Sequence, residues 1–121
     1  MPEASARQPA IRPLDVAIAV AEPVEVAEGI VLVRLPLPFA LDHINVYLLD
    51  EGDGWTLVDC GLETCASRAA WESVLASPKV AGRTIRRIVV THHHPDHIGL
   101  AGWLAARFDA PVLMTAGELA V

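Results

Sequence analysis

The sequence predicts an α/β layered domain, and three observations predict it. Runs rich in β-branched residues recur from Gly29 onward, segments with apolar residues near helical spacing lie between the later runs, and the two types alternate in the second half of the chain. Strand, helix, strand, helix, strand is the order in which helices cover a sheet. Taken in order, "IVLVRLPLP" at 30–38 and "HINVYLLD" at 43–50 read as strands, "EGDG" at 51–54 as a turn, and "WTLVD" at 55–59 as a third strand, an opening antiparallel meander. "LETCASRAAWESVLAS", 62–77, places Leu62, Ala66, Ala69, Ala70, Val74 and Leu75 close to helical spacing, and Pro78 stops it. "TIRRIVV", 84–90, reads as a strand buried on both faces toward its end. "IGLAGWLAARF", 98–108, is a second helix with Leu100, Trp103, Leu104 and Phe108 for its apolar stripe, and "APVLM", 110–114, is a fifth strand.

The two ends of the chain read differently. Before Gly29, prolines at 2, 9, 13 and 23 and acids at Glu3, Asp15, Glu22, Glu25 and Glu28 leave only the short apolar run "VAIAVA" at 16–21. Residues 1–28 are expected to be a loose N-terminal arm, and 29–121 the folded unit. At the other end "TAGE", Thr115 to Glu118, has the spacing of a capping box, in which Thr caps an amide and Glu reaches back, and it announces a helix. The chain stops at Val121, less than two turns later, so 29–121 is expected to be the N-terminal part of a larger domain, truncated at its C-terminus.

Composition narrows the class of partner. A hydrophobic content of 53% and a mean hydropathy of +0.40 argue for a globular protein. The formal net charge of -6 argues against nucleic acid or an anionic membrane, and the best basic stretch, "RTIRR" at 83–87, is too short to reverse it. No segment approaches the roughly twenty apolar residues of a membrane span. The start of the chain also lacks the basic region, long apolar stretch and cleavage site of a signal peptide, so a cytoplasmic location is expected. Cys60 and Cys65 form one isolated C-x4-C pair, read as two small buried hydrophobes in a reducing compartment.

"THHHPDHIGL", residues 91–100, holds four of the five histidines and carries the chemistry. Where an extended strand end alternates its side chains, His92 and His94 share a face and His93 points away. Pro95 stiffens the turn, after which Asp96 and His97 present a carboxylate and an imidazole from a helix start. Imidazole with carboxylate suits Zn(II), and also Fe(II) or Mn(II), better than calcium or magnesium. Two pairs of ligands imply two adjacent metal positions, each short of the three protein ligands that a stable site takes. A polyhistidine tag is terminal and longer, and a polar surface loop has no need of this spacing between a buried strand and a helix.

In these residues the chain resembles the metallo-β-lactamase-fold hydrolases, whose signature T-H-x-H-x-D-H stands here as Thr91, His92, His94, Asp96 and His97. The likeness extends through "LPLPFALDHINVYLLDEGDGWTLVDCG" upstream and "IGLAGWLAARFDAPVLMTAGE" downstream, from about Gly29 to the end. It implies an αββα sandwich of which this chain supplies roughly the first half. It assigns His92 and His94 to a first metal and Asp96 and His97 to a second, and gives Asp59 in "VDCG" the task of orienting a ligating histidine. Cys60 stands where the family has a small hydroxyl residue, and its thiol matters if it faces the site. His43 and Asn45 lie where they either approach substrate or simply open a strand.

The resemblance also implies ligands not found here. No histidine follows His97, and neither Asp109 nor Glu118 resembles the acid that bridges both metals. For the complete protein it implies a small-molecule hydrolase in which two zinc ions activate a water against an ester, thioester or amide carbonyl, with Asp96 orienting the attacking oxygen. Two alternatives stand beside this: a mononuclear iron site that oxygenates a sulfur substrate, and an inactive metal-binding fragment.

Overall fold

The computed structural model describes residues 16–119. Positions 1–15 of the expected N-terminal arm and the chain end at 120–121 lie outside them. The elements are β1 (Val24–Ala27), β2 (Ile30–Pro36), β3 (His43–Asp50), β4 (Gly54–Val58), α1 (Cys65–Ala76), β5 (Thr84–Val89), α2 (Pro95–Ile98), α3 (Ala101–Phe108), β6 (Val112–Leu113) and α4 (Ala116–Leu119). All six strands form one sheet in the order β1-β2-β3-β4-β5-β6. The first four are antiparallel neighbours, and β4-β5 and β5-β6 are parallel pairs joined by helical crossovers.

The sheet begins earlier than the Gly29 boundary, because β1 pairs with β2 and Val20 bridges to Arg34 ahead of it. Ala21 N–H donates to the Arg34 carbonyl at 3.0 Å, so backbone pairing holds a stretch whose composition alone reads as loose.

Strand register sorts the side chains into two faces. Val31↔Leu48, Val33↔Val46, Leu35↔Ile44, Leu48↔Leu57, Trp55↔Ile85 and Leu57↔Ile88 are opposed pairs, and every one of these residues is buried on one face. The helices cover that face: Trp71, Val74, Leu100 and Leu104 belong to the same core cluster. On the opposite face Tyr47, Leu49, Val58 and Val89 are only half-buried and Leu113 is exposed. The described residues therefore make two layers, one sheet with helices on one side.

Helix α1 turns a different side inward from the one its alanines suggest. Ser67, Ala70, Trp71 and Val74 are buried, whereas Ala66 and Ala69 are exposed and Leu62 precedes the helix. Burial of the two polar side chains is possible because each finds a carbonyl: Trp71 Nε1 donates to Cys60 O at 2.9 Å and Ser67 Oγ to Pro36 O at 3.3 Å. Truncating Trp71 to Ala therefore removes a fully buried ring worth about 3–5 kcal/mol. Thr64 starts the helix, its side chain accepting from Ser67 N–H at 3.0 Å.

The expected second helix is split. A single turn, α2, is followed by Gly99 and Leu100 before α3 begins, and α3 ends on Asp109 in the left-handed region at φ 53°. Gly99 is where the chain presses hardest on its neighbour. A Cβ there would lie 2.8 Å from both Glu63 N and Gly61 O, and 2.5 Å from Pro95 O. Its helical φ and ψ would otherwise favour alanine by up to about 1 kcal/mol. Backbone atoms on two sides cannot move aside as a flexible side chain can, so the clash wins. Gly99→Ala is expected to destabilise the protein by about 1–3 kcal/mol, read as a lower urea midpoint in chemical unfolding.

The cysteines do not share a fate. Cys60 is fully buried in the core, and burial pushes its thiol up to about 12, so it stays protonated. Cys65, expected buried, is instead exposed at the start of α1, because the helix turns Ser67 and Trp71 inward and leaves position 65 outward. A disulfide reagent at pH 8 is accordingly expected to titrate one thiol in the native chain and two in denaturant.

Candidate metal centre

The histidine segment is held by the strand ends beneath it. Asp59 follows β4 with φ at +67°, a left-handed conformation that Asp tolerates better than most residues, and its N–H donates to Val89 O across the parallel pair at 2.8 Å. Cys60 N–H donates to His97 O at 2.8 Å, and Leu100 N–H to Gly61 O at 3.1 Å, which stitches this turn to α2. Gly61 has φ +98°, and a Cβ there would come within 2.7 Å of Leu35 Cδ1, so glycine is required on both counts.

That backbone aims the Asp59 carboxylate, 6% exposed as a residue, into the segment. Its Oδ1 accepts from Thr91 N–H at 2.8 Å. Its Oδ2 accepts from the Thr91 hydroxyl at 2.8 Å and lies 2.8 Å from His97 Nδ1. An ionised carboxylate only accepts, so Nδ1 of His97 carries a proton, and in the neutral ring Nε2 then keeps its lone pair. The same count fixes His92. Thr91 Oγ1 has one hydrogen, committed to Asp59, and so must accept from His92 Nδ1, 2.8 Å away. Two imidazoles are thereby left with Nε2 free, one held directly by Asp59 and one through Thr91. Spacing gives Thr91 no role beyond its place in the signature; its position beside a buried Asp is a tertiary fact.

The other side chains gather around this pair. His92 and His97 rings lie 3.8 Å apart at their centroids, and His92 and His94 lie 4.8 Å apart edge to face. His94 precedes α2, its carbonyl accepting from His97 and Ile98 N–H, with Pro95 in the first helical turn. Asp96 Oδ2 is 3.6 Å from His97 Nε2, near the roughly 3.3 Å that separates two ligands on one tetrahedral zinc. The donor chemistry thus fits a zinc-type ion. Among the described residues, however, no three His, Cys, Asp or Glu side chains converge as a group able to hold one.

The exposed ring of His93 lies 5.2 Å from that of His94 at the centroids, and it is tied down from another element. Glu118 Oε1 accepts from His93 N–H at 2.8 Å and pairs with its Nδ1 at 2.9 Å. These contacts, first the ring and then the amide, hold the Glu118 carboxyl below the usual glutamate range. The capping box expected at 115–118 is therefore half formed. Glu118 N–H reaches Thr115 Oγ1 at 3.4 Å, but the carboxylate goes to His93 and does not return to the cap. His43 pairs with Asp42 at 2.9 Å, and Asn45 Oδ1 accepts from Arg34 Nε at 3.0 Å; among the described residues neither hydrogen-bonds to the histidine segment. The Cys60 side chain is buried in the hydrophobic core cluster.

Comparison with known proteins agrees with this layout. Over 73 residues the chain is 41% identical to "Probable metallo-hydrolase YqjP" of Bacillus subtilis (strain 168), covering 60% of this chain and 23% of that protein. It is 30% identical over 76 residues to "Hydroxyacylglutathione hydrolase" of Acidiphilium cryptum (strain JF-5), covering 63% of this chain and 31% of that one. The crystal structure of a beta-lactamase domain protein from Burkholderia ambifaria matches with a TM-score of 0.74 and 42% identity, over 86% of this chain and 35% of that one. The chain thus spans about a third or less of the length of these relatives. Residues 40–121 match the family model described as "Metallo-beta-lactamase superfamily", and with sheet, helices and histidine segment arranged as above, the chain belongs to the metallo-β-lactamase superfamily.

Proposed function

We propose that this chain carries the first part of the metal site of a hydrolase that cleaves an ester, thioester or amide bond of a small molecule, with two zinc ions per complete domain. Membership of a superfamily whose fold implies divalent-metal binding supports the metal. The observation that carries the reading is the free Nε2 of His92 and of His97, left by the Asp59 and Thr91 hydrogen bonds, beside the Asp96 carboxylate. A relative named for hydrolysing hydroxyacylglutathione favours an acyl bond. The acidic balance of the chain fits a small-molecule substrate better than nucleic acid or an anionic membrane.

In this reading His92 and His94 hold the first ion, and Asp96 with His97 holds the second. Bound there, the ions supply an acidified water and a positive charge that polarises the carbonyl. Asp96 accepts a hydrogen bond from the attacking water and keeps its lone pair turned toward the carbonyl carbon. Asp59 fixes the ring orientation of His97, and Thr91 does the same for His92 at one remove.

The test is metal analysis, with hydrolysis of generic thioester and lactone substrates, on the longest chain the reading frame encodes. At least one zinc per chain is expected, with turnover lost in His94→Ala. Asp59→Ala is expected to weaken zinc binding about 10- to 100-fold. Less than one metal per chain, or turnover unchanged in His94→Ala, would overturn the reading, and iron in place of zinc would redirect it to oxygen chemistry.

A further inference from the structure

We propose that Glu118 is a positioning residue for the metal ligands: by accepting both the backbone and the ring N–H of His93, it locks the extended stretch 92–94 so that His92 and His94 face the ion together. The inference rests on the metal-site reading of the preceding section. His93 lies between the two candidate ligands in the chain, with its ring 5.2 Å from that of His94 at the centroids, so restraining the middle residue restrains the flanking ones. A single oxygen, Glu118 Oε1, accepts from the His93 amide at 2.8 Å and from its ring at 2.9 Å, bonds to a charged acceptor being roughly twice as strong as neutral ones.

The approach of Glu118 is set by the sheet. Val90 N–H donates to Leu113 O at 2.9 Å, which pairs β6 to the chain just before the histidines, and α4 follows β6 directly. Glu118 also leaves its own cap unreciprocated to make these bonds. A histidine that ligates nothing is thereby the handle by which a distant helix grips the ligand loop.

The experiment compares wild type, Glu118→Ala and Glu118→Gln in competition for Zn2+ against a chromophoric chelator, with metal-free thermal unfolding of each. Glu118→Ala is expected to bind Zn2+ about 10-fold more weakly than wild type. Glu118→Gln keeps an oxygen acceptor and is expected to return to within about threefold. The loss of Zn2+ affinity in Glu118→Ala is expected in chain that is still folded at the assay temperature, whereas a merely structural role would lower the metal-free midpoint and leave the affinity of the folded chain unchanged. Equal affinity in wild type and Glu118→Ala overturns the positioning role while the metal reading stands. Equal loss in the Ala and Gln variants overturns it too, since charge alone would then be acting. A wild type that takes up no Zn2+ overturns the metal reading, and the positioning role with it. If Glu118→Ala does not unfold cooperatively, Glu118→Asp, one methylene short of His93, takes its place with the same expected loss.

Discussion

The histidine segment depends on one buried carboxylate. Asp59 accepts from the Thr91 amide, the Thr91 hydroxyl and the His97 ring, and these three bonds decide where the segment sits and which ring nitrogens are free. An Asp at 6% exposure is costly unless its oxygens are occupied, and here both are. The pairing of β4 with β5 makes this possible, because parallel strands end side by side and leave their C-terminal residues to face one crevice. In a sheet antiparallel at that point, Asp59 and Thr91 would stand at opposite ends.

Several elements were legible because their signals are local. Alternation in "HINVYLLD" states which face of β3 is buried, and the structure buries Ile44, Val46 and Leu48 accordingly. The meander, the two crossovers and the strand leading into the histidines follow from similar patterns. What was not legible came from partners far away in the chain. Trp71 and Ser67 face inward because Cys60 and Pro36 offer carbonyls to them, and no periodicity within α1 reports that. For the same reason Cys65 reads as buried and is exposed. The helix expected from Leu62 starts instead after Thr64, whose side chain accepts from Ser67 N–H.

The site shows the same division. Spacing within residues 91–97 brings the candidate ligands near one another only in pairs, while the Thr91 bridge needs Asp59, 32 residues earlier, and the His93 anchor needs Glu118, 25 residues later. "TAGE" has a capping-box spacing that is genuine in its first half, and a tertiary partner takes the second. The half-buried face of Tyr47, Leu49, Val58 and Val89 is where the four-layer architecture of the superfamily and the two layers described here part company.

Sheet order coincides with chain order from β1 to β6. No strand has to insert between two that are already paired, so each new strand can dock on the last one made as the polypeptide leaves the ribosome. Asp59 precedes the histidines in that sequence of events. The acceptor that sorts their tautomers therefore leaves the ribosome ahead of the imidazoles it holds.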